Sequence, residues 1–148
     1  MPVTAMQAYG LSARAARRED LDALAEIVRS DPATSWDRAA LAAELSIAWS
    51  RMQVLERAGQ VLAFVVYWLV AGEIQLLHIA THAAHRRQGH ACTLLRGLAL
   101  EARQQGAQHI LLEVRRGNTA ARRLYDALGF RETGVRRRYY LDGEDAML

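Results

Sequence analysis

The chain contains no lysine: its 19 basic side chains are all arginine, set against 16 Asp and Glu, for a formal net charge of +3. So small an excess attracts acidic ligands without establishing nucleic-acid binding, and we read the arginine usage mainly as compositional bias, although Arg suits phosphate geometry better than Lys. Cysteine occurs once, at Cys92, which excludes an intrachain disulfide and fits a reducing compartment. The longest apolar run, Val61 to Val70, is too short to span a bilayer. The opening segment MPVTAMQAYG lacks a basic region followed by an apolar one, so a protein without a secretory leader, cytoplasmic and free of membrane, is expected. Internal repeats and low-complexity linkers are also missing. What remains, 148 residues at 51% hydrophobic content, suits one compact domain over 1–148 with a shared core.

The periodicity predicts a short strand over Leu11 to Arg14. An amphipathic helix follows, with an acidic start (Glu19, Asp20, Asp22) and apolar Leu21, Leu24, Ala25 and Val28 at helical spacing, stopped by Ser30-Asp31-Pro32. Asp37 is placed to cap a second helix carrying Leu41, Leu45 and Ile47. Met52 to Glu56, Val61 to Val70 and Glu73 to Thr81 read as strands joined by turns at Arg57-Ala58-Gly59-Gln60 and Ala71-Gly72, an antiparallel meander. A helix from about Gly89 to Gln105, ended by Gly106, precedes a strand from His109 to Val114. Strand, helix, strand in that order implies a right-handed crossover and a parallel pair. Arg115 to Asn118 reads as a loop, followed by a helix to about Leu128 with Gly129 as its stop. Phe130 to Leu141 and Ala146 to Leu148 supply late strands. The fold class is therefore α/β (α+β): a mixed, mostly antiparallel sheet with a central parallel strand pair, flanked by helices.

The most informative stretch is His85-Arg86-Arg87-Gln88-Gly89-His90-Ala91, a glycine-containing turn between the apolar run Ile74 to Ala80 and the helix carrying Leu94, Leu95, Leu98 and Ala102. Backbone N–H groups at such a helix start have no intrahelical partner, and the helix dipole adds positive charge, so the turn suits a pyrophosphate. A tight connection with two solvated arginines is the alternative.

Several polar residues stand out from the apolar pattern. Glu113, at the end of an apolar strand beside the crossover, suits a general base. It equally suits a salt bridge to Arg115 or to a neighbouring strand. Tyr125 is either a general acid or a core aromatic with its hydroxyl at the rim. Asn118 is an N-cap whose side chain has a second hydrogen bond to give to a ligand. His78, His82, His85 and His90 match no zinc spacing, so no metal is expected. Cys92 reads as a packed thiol. Arg136-Arg137-Arg138 is either a solvated edge or a steering patch for an acidic partner.

Leu76-Leu77-His78-Ile79-Ala80, Arg86-Arg87-Gln88-Gly89-His90-Ala91, Leu112-Glu113-Val114-Arg115, Asn118, Leu124-Tyr125, Leu128-Gly129-Phe130, Tyr139-Tyr140 and Glu144-Asp145-Ala146 together resemble the GNAT family of N-acetyltransferases. Within it the chain is most similar to bacterial members that acetylate the N-terminal alanine of a ribosomal protein. The resemblance implies acetyl-CoA as cosubstrate, its pyrophosphate on the turn (Arg86, Arg87, Gln88, Gly89, His90, Ala91) and its pantetheine along Leu77, Ile79 and Ala80. Asn118 would hold cofactor or a bound water. It also implies Glu113 as the base that deprotonates the amine and Tyr125 as the acid for the departing thiolate, with a ribosomal protein N-terminus as partner. His78 stands where the family commonly has Asn, Thr81 where Val is usual, Ala83 where Pro is frequent, and Ala91 in place of the last glycine of the turn.

The chemistry agrees with these residue types. An α-amino group has a pKa near ~7.7–8.0 and a lysine near ~10.4, so deprotonating a protein N-terminus is easier by about 3 kcal/mol. A backbone N–H of Ile79 or Ala80 would stabilise the oxyanion, and direct transfer needs neither a cysteine nucleophile nor a metal. Transfer to lysines or small amines, and noncatalytic acyl-CoA binding, are the competing readings.

Overall fold

The computed structural model describes residues 10–31 and 36–148. Pro32 and the segment 1–9, on which the first helix stop and the absence of a leader were read, lie outside the described residues. The chain packs as two compact units, residues 1–110 and 111–148.

The first unit holds β1 (Leu11–Ala15), α1 (Leu21–Arg29), α2 (Arg38–Leu45), β2 (Ser50–Arg57), β3 (Gln60–Val70), β4 (Glu73–Thr81) and α3 (His90–Gln104), with β5 (His109–Leu112) beginning at its end. The sheet order is β1-β2-β3-β4-β5. The first four strands form the predicted antiparallel meander, and β4 and β5 are the parallel pair. Side chains alternate across this sheet. Val54, Phe64 and Val66 join a buried cluster with Leu24, Ile27 and Val28 of α1 and Leu41 of α2. Each such side chain contributes about 1.5–3 kcal/mol when fully buried.

Tyr67, fully buried, donates its hydroxyl to Glu101 Oε2 of α3 at 2.6 Å, and Gln53 donates to the same oxygen at 2.8 Å. Burial, and after it that bond, raise the Tyr67 pKa, so the phenol stays neutral and its polar atom is satisfied. Leu94, Leu95, Leu98 and Ala102 of α3 are buried as their spacing predicts. The Asp37 side chain accepts from Ala40 N at 2.8 Å and caps α2. That helix ends at Leu45, so Ile47, predicted to lie within it, falls in the turn beyond.

Asp20, only 7% exposed, accepts both guanidinium nitrogens of Arg14 at 2.8 Å and the Arg17 N–H at 2.7 Å. Arg14 also reaches Glu56 at 3.1 Å, linking β1, β2 and the entry to α1.

The second unit holds β6 (Val114–Arg115), α4 (Thr119–Ala127), β7 (Val135–Arg136) and β8 (Ala146–Met147), with antiparallel order β6-β8-β7. Two predictions are corrected here. The strand expected over His109 to Val114 is broken at Glu113, where the chain leaves one sheet order and enters the other. Of Phe130 to Leu141, only Val135 and Arg136 are strand. Arg138 has φ +52 and gives its N–H to Asp145 Oδ1 at 3.0 Å, which takes this stretch out of extended geometry.

Candidate active site

The turn before α3 is built for close backbone approach. Gly89 is the N-cap with φ +83, a conformation that favours glycine, and Arg87 has φ +62. No side chain caps the helix, and a Cβ added at Gly89 would meet nothing within 4 Å. The first turn of a 15-residue helix thus presents N–H groups to open space. Thr93 closes the turn from inside, donating its hydroxyl and its N–H to Gly89 O at 3.0 Å. The His90 ring is buried beneath, its Nε2 3.2 Å from Gln88 Oε1, and burial lowers its pKa. Arg86 reaches the Thr81 carbonyl at 3.4 Å and Ser30 Oγ at 3.3 Å, which ties the turn to α1 and β4. These features fit the pyrophosphate cradle expected of Arg86 to Ala91.

Leu77, Ile79 and Ala80 lie in the last part of β4. The register passes from Tyr67 opposite Leu76 to Val66 opposite His78, so Leu77 is an extra, unpaired residue: a β-bulge. Hydrogen-bonded pairs alternate along an antiparallel ladder, and the His82 N–H bonds to Leu62 O at 2.8 Å. Stepping back by two makes Ala80 and Phe64 a hydrogen-bonded pair. The Ile79 N–H then points away from β3. It lies on the edge of β4 that faces β5.

In the second unit, Glu113, Asn118 and Tyr125 come from β6 and α4 and their flanks. The Glu113 side chain, 32% exposed, lies 3.5 Å from Arg136 Nε. Arg136 belongs to β7, so the expected salt bridge to another strand is present. Arg115 binds Asp142 at 2.8 Å and Glu144 at 3.1 Å, with its guanidinium 4.0 Å from the Tyr140 ring centre.

Tyr125 is buried, with its ring edge-on to Phe130 at 5.6 Å. Burial, with a smaller contribution from Tyr140, pushes its pKa up to about 12. The Asn118 side chain accepts from Ala121 N at 3.2 Å and caps α4, as predicted. In the loop before it, Glu144 Oε2 accepts the Gly117 N–H at 2.8 Å and would stand 2.7 Å from a Cβ added there, so a side chain would push that carboxylate aside.

Sequence reasoning gave no individual role to Tyr139, and left that of Arg136 open. The Glu113 carboxylate holds the Tyr139 phenol above its ordinary pKa, and the Arg136 guanidinium lies 5.5 Å from the Tyr139 ring centre. Glu113 therefore sits in a small group of a cation and a phenol. The adjacency of Arg136 and Tyr139 in sequence was visible; their return to Glu113 was not. Cys92 is partly exposed on α3. Among the described residues, no three His, Cys, Asp or Glu side chains gather as a metal site, and no helix is long and apolar enough to cross a membrane.

The acetyltransferase (GNAT) family model matches residues 21–130, across both units. The ribosomal protein bS18-alanine N-acetyltransferase of Escherichia coli K12 is 35% identical over 132 residues, 87% of this chain and 88% of that protein. The crystal structure of the ribosomal-protein-S18-alanine N-acetyltransferase from Escherichia coli superposes with a TM-score of 0.85 at 33% identity, covering 93% of this chain and 90% of that one. The structure of Ard1 from Thermoplasma volcanium gives 0.84 at 25% identity, covering 93% and 94%. With the bulged β4, the uncapped glycine turn and the carboxylate after β5 already in place, these likenesses establish that the chain belongs to the acetyltransferase (GNAT) family.

Proposed function

We propose that this enzyme acetylates the α-amine of a protein N-terminus, specifically the N-terminal alanine of ribosomal protein bS18, and acts in the cytoplasm as a single domain over residues 1–148. The likeness to the Escherichia coli bS18-alanine N-acetyltransferase, at 35% identity along nearly the whole of both chains, carries this reading. The family match across both compact units supports the single domain. Lysine side chains and small amines are disfavoured as acceptors by their higher pKa.

Acetyl-CoA, when bound, supplies an acetyl thioester activated for attack by an amine. The N–H groups from Arg87 to Ala91 hold its pyrophosphate, with Arg86 bracing the turn. Leu77, Ile79 and Ala80 line its pantetheine arm, and the Ile79 N–H faces the charge that develops on the carbonyl oxygen. The Glu113 carboxylate takes the proton of the incoming α-ammonium, directly or through one water, with Arg136 and Tyr139 fixing its orientation. Tyr125 Oη, protonated throughout the neutral range, donates a hydrogen bond to the departing sulfur. The Asn118 amide N–H₂ stays available to cofactor or water while its oxygen caps α4. The test is incubation of unacetylated bS18 with acetyl-CoA and the enzyme, read by mass spectrometry of the N-terminal peptide. One acetyl group on the alanine nitrogen supports the reading, and an unmodified N-terminus rejects it.

A further inference from the structure

Three buried side-chain nitrogens among the described residues have no hydrogen-bond partner, Arg14 Nε, His90 Nδ1 and His78 Nε2, and the last lies beside the residues that the proposed function gives to the acyl donor. Because Leu77 is the extra residue of the β4 bulge, two consecutive side chains face the same layer. Leu77 packs on the α1/α2 cluster. The His78 ring lies 5.6 Å from Phe64 and stacks on Trp36 at 5.6 Å with 18° between planes. The imidazole is thus held between aromatic rings in one orientation. Its Nε2 is buried and has no hydrogen-bond partner among the described residues. A native fold seldom leaves such an atom unpaired unless something else pairs with it, and an apolar ring would have filled this space without the penalty. Burial lowers the His78 pKa against a weak opposing pull from Asp31, so the ring is neutral near pH 7, with one N–H and one lone pair.

His78 sits between Leu77 and Ile79, which the proposed function gives to the acyl donor. Strand alternation turns His78 away from Ile79 and toward the layer of Trp36. That indole also borders a pocket of about 310 Å³ shared with Ala25, Val28 and Arg29. A neutral imidazole nitrogen is matched by a peptide group, which offers an N–H to a bare nitrogen and a C=O to a protonated one. A simple alkylamine offers no such group.

We propose that His78 is an acceptor-specificity residue whose Nε2 hydrogen-bonds the first peptide group of the incoming chain, selecting peptide N-termini over free amines. The proposal rests on the acetyltransferase reading above. Its test compares wild type, His78→Phe and His78→Gln, each checked for folding by circular dichroism, with an alanine-starting peptide and with n-propylamine as acceptors. His78→Phe, which keeps an aromatic ring against Trp36, raises the peptide KM about tenfold or more with kcat and the acetyl-CoA KM near wild type. His78→Gln recovers a large part of the loss, and turnover of n-propylamine is unmoved. An unchanged peptide KM in His78→Phe, or an equal loss on both acceptors, overturns it.

Nitrogen NMR of the histidine side chains separates this proposal from the reading beneath it. If wild type acetylates neither acceptor, the function fails on its own, and His78 is judged by peptide titration. A shift of the His78 Nε2 resonance on adding peptide upholds the contact, and its constancy refutes it.

Discussion

Replacing Tyr125 by Phe removes one oxygen from a buried ring and leaves its edge contact with Phe130 at 5.6 Å in place. The structural cost of so near an isostere is under about 1.5 kcal/mol, so the fold survives. The effect on catalysis follows from the hydroxyl's pKa of about 12. An aliphatic thiol has a pKa near ~8.5, so complete proton transfer from Tyr125 to the departing thiolate would be uphill by about 5 kcal/mol. On the proposed mechanism Tyr125 therefore serves as a hydrogen-bond donor to developing negative charge, an interaction worth about 1.5–3 kcal/mol. That corresponds to a fall in kcat of about 10- to 150-fold. The bond strengthens only as the sulfur becomes charged, so the acetyl-CoA KM stays near wild type. A continuous assay of released thiol, with acetyl-CoA varied at saturating peptide, reads both constants. An unchanged kcat refutes a role for the hydroxyl. A loss beyond about 10³-fold refutes the hydrogen-bond account and requires full proton transfer.

Other substitutions probe the remaining parts. Glu113→Gln lowers kcat by about 10²-fold or more, the usual range for a general base, while calorimetry shows acetyl-CoA binding intact. Gly89→Ala forces an L side chain to φ +83 at a cost of about 1–2 kcal/mol and weakens acetyl-CoA binding more than peptide binding, measured by separate KM determinations. Asp20→Asn costs about 1.5–3 kcal/mol at pH 7 by urea unfolding, through loss of the charged bonds to Arg14. The Arg14 hydrogen bonds, more than burial opposes, lower the pKa of Asp20 below the ordinary carboxylate value. Its contribution is therefore complete above about pH 4 and lost as pH falls below it through the folded pKa. The stability of wild type consequently drops more steeply below pH 4 than that of Asp20→Asn.

Local signals made much of the fold legible. The hairpin turns, the Asp37 and Asn118 caps and the Gly89 turn depend on residues within a few positions of each other, and each lies where the sequence puts it. The misreadings come from contacts distant in sequence. Apolar residues on both sides of Glu113, Ile110 to Leu112 and Val114, hide the break there, because both sides of it are strand. Phe130 to Leu141 has strand-like residues, yet bonds from Asp142, Glu144 and Asp145 back to Arg115, Arg116, Gly117 and Arg138 set its path. The Leu77 bulge leaves no mark in the pattern, since β4 is apolar on both faces there. In the site, Glu113 and Tyr125 stood out from the residue pattern, and the resemblance chose their catalytic readings over the alternatives; the pairing of Glu113 with Arg136 joins residues far apart in sequence and needed the fold.

The most direct measurement of the central claim is a one-tube competition. An alanine-starting peptide and its N-terminally blocked, lysine-containing twin compete for limiting acetyl-CoA, and tandem mass spectrometry locates the acetyl groups. The account predicts acetylation of the free α-amine alone. Acetyl on the lysine of the blocked twin, at equal or greater yield, would contradict it.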